Sequence, residues 1–321
     1  MKRMLDIKVI EKNSALYCNE KAIITIAKYL NRRYEMAFCN MNCIDYLQKE
    51  DGQLRFEDRI RASYSEVTMV NALRKYHGIL SSFPTKTFRT IIKTIEDQIK
   101  NGMPVLIFLS YRTCHNVEKK NLKVDFLVVG FDEEYIMGYD MRENDTLKKI
   151  KKELIKKDYA LKEKVITWKV VHEEIVISDE MGIKILRNLR KDLKKEIVII
   201  EKIIHDFRHD CNSIENIKES IDYNILLKNF SQVVRAKKLF YSTLTYISHR
   251  ISGMDEVLFS YKDLGIQWHR VWQLFAKINY MVKDAACDIY ISRTAQIIIS
   301  EMKKIIQNEK HLIGILDKAI S

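Results

Sequence analysis

Proline and glycine are both scarce in this chain. Two Pro and nine Gly in 321 residues leave few sites for tight turns, which excludes a turn-rich all-β architecture and points to long, uninterrupted helices. Long apolar runs are missing as well. The longest, Val105 to Leu109 and Ile197 to Ile200, fall far short of the roughly 20 residues that span a bilayer, so no membrane partner is expected. After Met1-Lys2-Arg3, the charges Asp6, Lys8, Glu11 and Lys12 interrupt any apolar core of a secretory signal. The six cysteines, at 18, 39, 43, 114, 211 and 287, form no paired framework. Free thiols in a reducing compartment follow, and a soluble cytoplasmic protein is expected. No reading helix, zinc knuckle or aromatic RNA-binding strand motif is recognisable, so nucleic acid is not an expected partner.

What the chain has in quantity is positive charge, a net +12. Between Leu147 and Lys164 eight lysines face three acidic residues, and this stretch reads as one basic helix or linker. Its two readings are a solvated helix face and a docking patch for an acidic partner, with Lys148, Lys149, Lys151 and Lys152 at its centre.

A length of 321 residues with 47% hydrophobic residues suffices for two cores. Periodicity changes near residue 178. Before it, β-rich runs at 5–10, 104–110, 124–131, 135–140 and 165–171 alternate with amphipathic helices such as 87–100, which stops at Asn101-Gly102. After it, apolar residues recur at helical spacing over 179–207, 212–222, 226–250, 268–283 and 289–318, with breaks expected at Ser252-Gly253 and Leu264-Gly265. The expected fold class is α+β: a domain over 1–175 with an antiparallel sheet, then an all-helical bundle over 176–321.

Cys18 opens an amphipathic stretch, C-N-E-K-A-I-I-T-I-A-K-Y-L, and about a hundred residues later come two short strands, V-D-F-L-V-V-G-F-D and Y-I-M-G-Y-D. That is the layout of a papain-like thiol enzyme. A helix N-terminus favours the thiolate, a histidine leading the first strand takes its proton, and an acid or amide on the next strand orients that histidine. The histidine's place is held by Asp125, and a carboxylate there raises a thiol's pKa. His115, in S-Y-R-T-C-H-N, is the nearest histidine in sequence and the candidate substitute base.

The runs S-A-L-Y-C-N-E-K-A-I-I-T-I-A-K-Y-L-N-R-R-Y-E-M-A-F, L-R-K-Y-H-G-I, I-K-N-G-M-P-V-L-I-F-L-S-Y-R and D-F-L-V-V-G-F-D-E-E-Y-I-M-G-Y-D resemble, in that order, the butirosin biosynthesis protein H N-terminal domain family. That family is related to the bacteriocin-processing cysteine peptidases, and the resemblance covers about residues 8–175. It implies a papain-like fold and, in natural-product (antibiotic) biosynthesis, acyl transfer from an acyl carrier protein thioester to an amine. Carried over, Cys18 matches the nucleophile and Asp140 the acid that orients the base, while Asp125 stands where the family has its histidine. The resemblance also makes an acidic acyl carrier protein the partner for the four lysines and a small-molecule amine the acceptor, with no cofactor. The alternative is a catalytically impaired relative that keeps the pocket for binding.

Other side chains carry weaker signals. Cys39 and Cys43 have the spacing of half a zinc site without a second pair, so no metal is expected. His205 and His209 lie one turn apart in H-D-F-R-H-D-C, but no glycine-rich nucleotide-binding segment follows them. His77, before Gly78, reads as a contact to the last carbonyls of a helix. Trp268, Trp272 and Phe275 share a helical face suited to packing, with His269 and Arg270 on the other side.

Overall fold

The computed structural model describes residues 3–10, 16, 18–42, 44–47, 55–62, 66–117, 122–143, 146–159, 163–210, 213–284 and 287–320. In chain order the elements are β1 (Arg3–Met4), α1 (Cys18–Tyr29), β2 (Ile44–Tyr46), α2 (Phe56–Arg59), β3 (Ile60–Ala62), α3 (Glu66–His77), β4 (Ile79–Ser82), β5 (Thr85–Lys86) and α4 (Phe88–Lys100). They continue with β6 (Val105–Ser110), α5 (Tyr111–His115), β7 (Lys123–Phe131), β8 (Tyr135–Asp140), β9 (Lys148–Lys151), α6 (Lys152–Asp158) and β10 (Glu163–Val170). The helices α7 (Asp179–Asp210), α8 (Ile214–Glu219), α9 (Tyr223–Ser248), α10 (Met254–Lys283) and α11 (Asp288–Ile320) complete the chain. No helix among the described residues is long and apolar enough to cross a membrane.

Two compact units result. One comprises 1–36 with 70–175, the other 37–69 with 176–321. The chain leaves the first unit at 37, returns to it at 70 and leaves it again at 176. Three carboxylates explain the excursion over 37–69, Glu57 and Glu196 buried and Asp206 half-buried. Glu196 on α7 accepts the Ile44 N–H at 3.1 Å, Asp206 accepts both the Tyr46 hydroxyl (2.5 Å) and Arg59 (2.8 Å), and Glu57 accepts the Asp222 N–H at 3.1 Å. These bonds satisfy backbone and side-chain groups of the β2–β3 hairpin that would otherwise be costly to bury.

In the first unit the strands run β4-β10-β6-β7-β8-β9, all antiparallel, with β1 on β7 and β5 on β10. Helix α4 buries Ile91, Ile95 and Ile99, spaced one turn apart, against Val105, Ile107, Phe126, Val128 and Ile136 on one sheet face. The alternate residues Leu106, Leu127 and Val129 are just as buried. Residues 5–10, expected as a strand, form none; pairing stops at Met4, and Leu5 adds one hydrogen bond to Val129.

The basic stretch at 147–164, expected as one helix or linker, holds a strand followed by a short helix and the start of β10. Ile150 is buried between exposed Lys149 and Lys151, a period of two that pairs with β8.

Helix α3 ends at Gly78, whose φ of +66° is left-handed. A Cβ there would stand 2.0 Å from the His172 carbonyl oxygen. Gly78→Ala is therefore expected to cost at least about 2 kcal/mol, read as a shift in the urea unfolding midpoint.

In the second unit α10 packs on α9 and α11, and α11 on α7. Trp268 and Phe275 lie in the core with Phe230 and Phe207, as expected of that stripe, and the half-buried Trp272 donates its indole N–H to Leu227 O. The expected break at Leu264-Gly265 is absent: α10 runs straight through it. A helical glycine costs about 1 kcal/mol relative to alanine, and burial of Tyr261, Leu264 and Trp268 on one face outweighs it.

Candidate functional site

Cys18 is the first residue of α1, its thiol half-buried. Two side chains hydrogen-bond it, the Asp125 carboxylate from β7 and the Arg142 guanidinium from the turn after β8. Burial pushes the thiol up to about 11, the negative charge of Asp125 adds to the rise, and Arg142 opposes both. The helix N-terminus therefore supports no thiolate at neutral pH. Asp125 stands by the thiol as the strand layout implied, and it acts against ionisation.

Asp140 and His115 do come together, at another place. Asp140 is 1% exposed, and its Oδ2 lies 2.7 Å from His115 Nε2 while its Oδ1 accepts the Arg142 N–H at 2.8 Å. His115 closes the short helix α5, which Ser110 caps, and its ring stacks on Tyr111 at 4.1 Å. The other ring nitrogen, Nδ1, lies 3.1 Å from Lys148 Nζ and 3.3 Å from Glu143 Oε1, and Lys148 is 2.7 Å from Glu143 Oε2. Both ring nitrogens are thus engaged, and neither is left to accept a proton from a thiol.

The strand register separates the pair from Cys18. Asp140 lies directly opposite Phe126, so both point to the sheet face that packs against α4; Asp125, one residue earlier, points to the other. Asp125 and Asp140 sit on neighbouring antiparallel strands but, one residue apart in register, on opposite faces of the sheet. His115 is bonded to Asp140 and Lys148, while the side chains acting on the Cys18 thiol are Asp125 and Arg142. Cys114 packs beside the α4 core, where burial and then Asp140 push its thiol up to about 12.

His115, Asp140 and Glu143 offer ligand atoms all within 4.8 Å of one another. The Lys148 ammonium already supplies the positive charge that a metal would bring there. The turn Asp140–Glu143 is what the sequence reading missed. Arg142 reaches the thiol, Glu143 reaches the imidazole, and the buried Lys21 of α1 donates to the Glu143 carbonyl at 3.3 Å. The local signal for such a turn is an Asp at a strand end, whose side chain takes the backbone N–H two residues on, here that of Arg142.

The four lysines divide. Lys148 is held by Glu143 and His115, and Lys152 by Glu96 at 2.9 Å, with its ammonium over the Phe131 ring. Lys149 and Lys151 are exposed on the outer side of β9.

Elsewhere, His77 is no helix-end contact. It is buried, with Nε2 accepting the Met36 N–H at 3.2 Å and Nδ1–H donating to Glu174 at 2.6 Å, and burial holds its pKa below the usual value. His205 is exposed beside Asp206, and His209 is exposed at the end of α7. Cys39 is buried, while Cys43 and Cys211 lie outside the described residues. No protein-family model matches the chain, and no curated protein matches it either.

Proposed function

We propose that this chain is a thiol-silent relative of the papain-like acyltransferases, an accessory or binding protein in a natural-product pathway rather than a cysteine acyltransferase. The observation that carries the reading is Cys18 hydrogen-bonded to Asp125, with its pKa pushed up to about 11. A nucleophile needs a base or a depressed pKa, and this thiol has neither. The partner is an acidic acyl carrier protein, bound along β9 by the exposed Lys149 and Lys151, with binding that weakens as salt screens it.

The test is to mix the protein with acyl-loaded carrier and a small amine, and to follow all species by intact mass. We expect carrier binding, no acyl adduct on Cys18, no amide product, and unchanged binding by Cys18→Ala. Lys149→Glu with Lys151→Glu should weaken that binding at least tenfold, with the melting temperature unchanged. An acyl-Cys18 adduct that Cys18→Ala abolishes would replace this reading with catalysis through Cys18.

A further inference from the structure

A cavity of about 350 Å³ opens in the helical unit, within the range of small-molecule sites. Lys237, Lys238 and Tyr241 line it from α9, and Tyr261, Lys262, Gly265, Ile266 and His269 from α10. Its floor is committed elsewhere: the Lys237 ammonium is bound by Glu196 and Asn42, and the Tyr261 hydroxyl donates to Asn42 Oδ1. What these two present to the cavity is therefore an aliphatic stem and a phenol ring, an apolar surface.

The mouth is different. Lys238 and Lys262 are exposed, and neither has a carboxylate partner among the described residues. His269 joins them, its pKa held below the usual value by burial and then by the Lys238 charge. No carboxylate is among the lining residues.

Gly265 supplies the room. It sits in mid-helix without a positive φ, so its backbone does not require glycine, and the nearest atom to a Cβ there would be the Lys237 Cβ at 3.9 Å.

We propose that this cavity binds a small amphipathic anion. A carboxylate head pairs with Lys238, Lys262 and His269, and an apolar body lies against Tyr241, Tyr261 and Ile266 in the space left at Gly265. Charge complementarity selects the head, and the ring-and-stem walls select the body.

Octanoate and its neutral counterpart octanamide are suitable probes, titrated into the full chain by calorimetry. Saturable binding of octanoate is expected, at least tenfold tighter than octanamide, with an upward shift of the His269 titration in NMR on binding. Gly265→Leu fills the cavity and should lose octanoate more than tenfold while melting no lower than the parent, since leucine is the better helix former. Lys238→Gln with Lys262→Gln should bring the two probes to near-equal affinity. Equal binding of the probes to the parent, no saturable octanoate binding, or a stably folded Gly265→Leu that binds as the parent does would overturn the proposal.

Discussion

Lys237→Met is expected to destabilise the helical unit by about 3–5 kcal/mol, the range for removing one partner of a buried ion pair. The ammonium is 1% exposed and donates to Glu196 Oε2 at 2.5 Å and to Asn42 O and Oδ1, both at 3.1 Å. Met fills much of the same volume, so the loss is electrostatic rather than a cavity. It leaves the fully buried Glu196 with only the Ile44 N–H among these partners. A second carboxyl sharpens the effect. Glu309, also fully buried, is pushed well above the usual carboxylate range by burial first and then by the charge of Glu196. Two carboxyls and one ammonium are thus reconciled by keeping Glu309 protonated. Thermal unfolding of Lys237→Met, and of Lys237→Met with Glu196→Gln, measures this. The double variant should regain more than half of the loss, because it removes the orphaned charge while keeping an acceptor for Ile44. The sign for Glu309 follows from linkage. Its folded pKa is raised, so its contribution is fully present below about pH 4.5 and is lost as pH rises toward the folded value. Glu309→Gln should then melt higher than the parent at pH 8 and much like it at pH 4.

The sequence carried the fold where burial imposes a period. Ile91, Ile95 and Ile99 reveal α4, and the apolar strands from 104 to 131 reveal the sheet, because every turn or every second residue must be buried. It failed where a single side chain decides. The excursion over 37–69 joins the helical unit through Glu57, Glu196 and Asp206, three carboxylates in charged helices with no pattern to mark them as its partners. At 147–164 the count of lysines obscured the one residue that mattered, Ile150, whose burial makes a strand. Gly265 does not break its helix, because local propensity is weak beside the burial of its neighbours. In the candidate site, Asp125 announced itself by standing where a base should be. Asp140 was placed on the right strand, but its face depends on register, and a shift of one residue reverses every side chain.

That reversal makes the second large effect a test of reactivity. At pH 7, a thiol at about 11 holds roughly a hundredfold less thiolate than one at the usual value of 9.0, since each unit is tenfold. Cys18 should therefore be alkylated by iodoacetamide far more slowly than the exposed Cys287 of the same chain, which serves as internal reference. Peptide mapping by mass spectrometry over a time course reads both sites at once, and Cys114, pushed up to about 12, should also lag. Asp125→Asn removes the adjacent charge and leaves burial, so Cys18 alkylation should rise by about tenfold and stay below that of Cys287. Asp125→His places an imidazole on the Cys18 face of β7 and should exceed the Asn variant, most clearly above pH 6.5, where the ring is neutral and accepts the thiol proton. His115→Ala should leave the Cys18 rate unchanged, because Asp140, to which His115 is bonded, points to the other side of the sheet. A Cys18 rate matching Cys287 in the parent protein, or one that collapses in His115→Ala, would mean that a base does reach the thiol and that the site is catalytic after all.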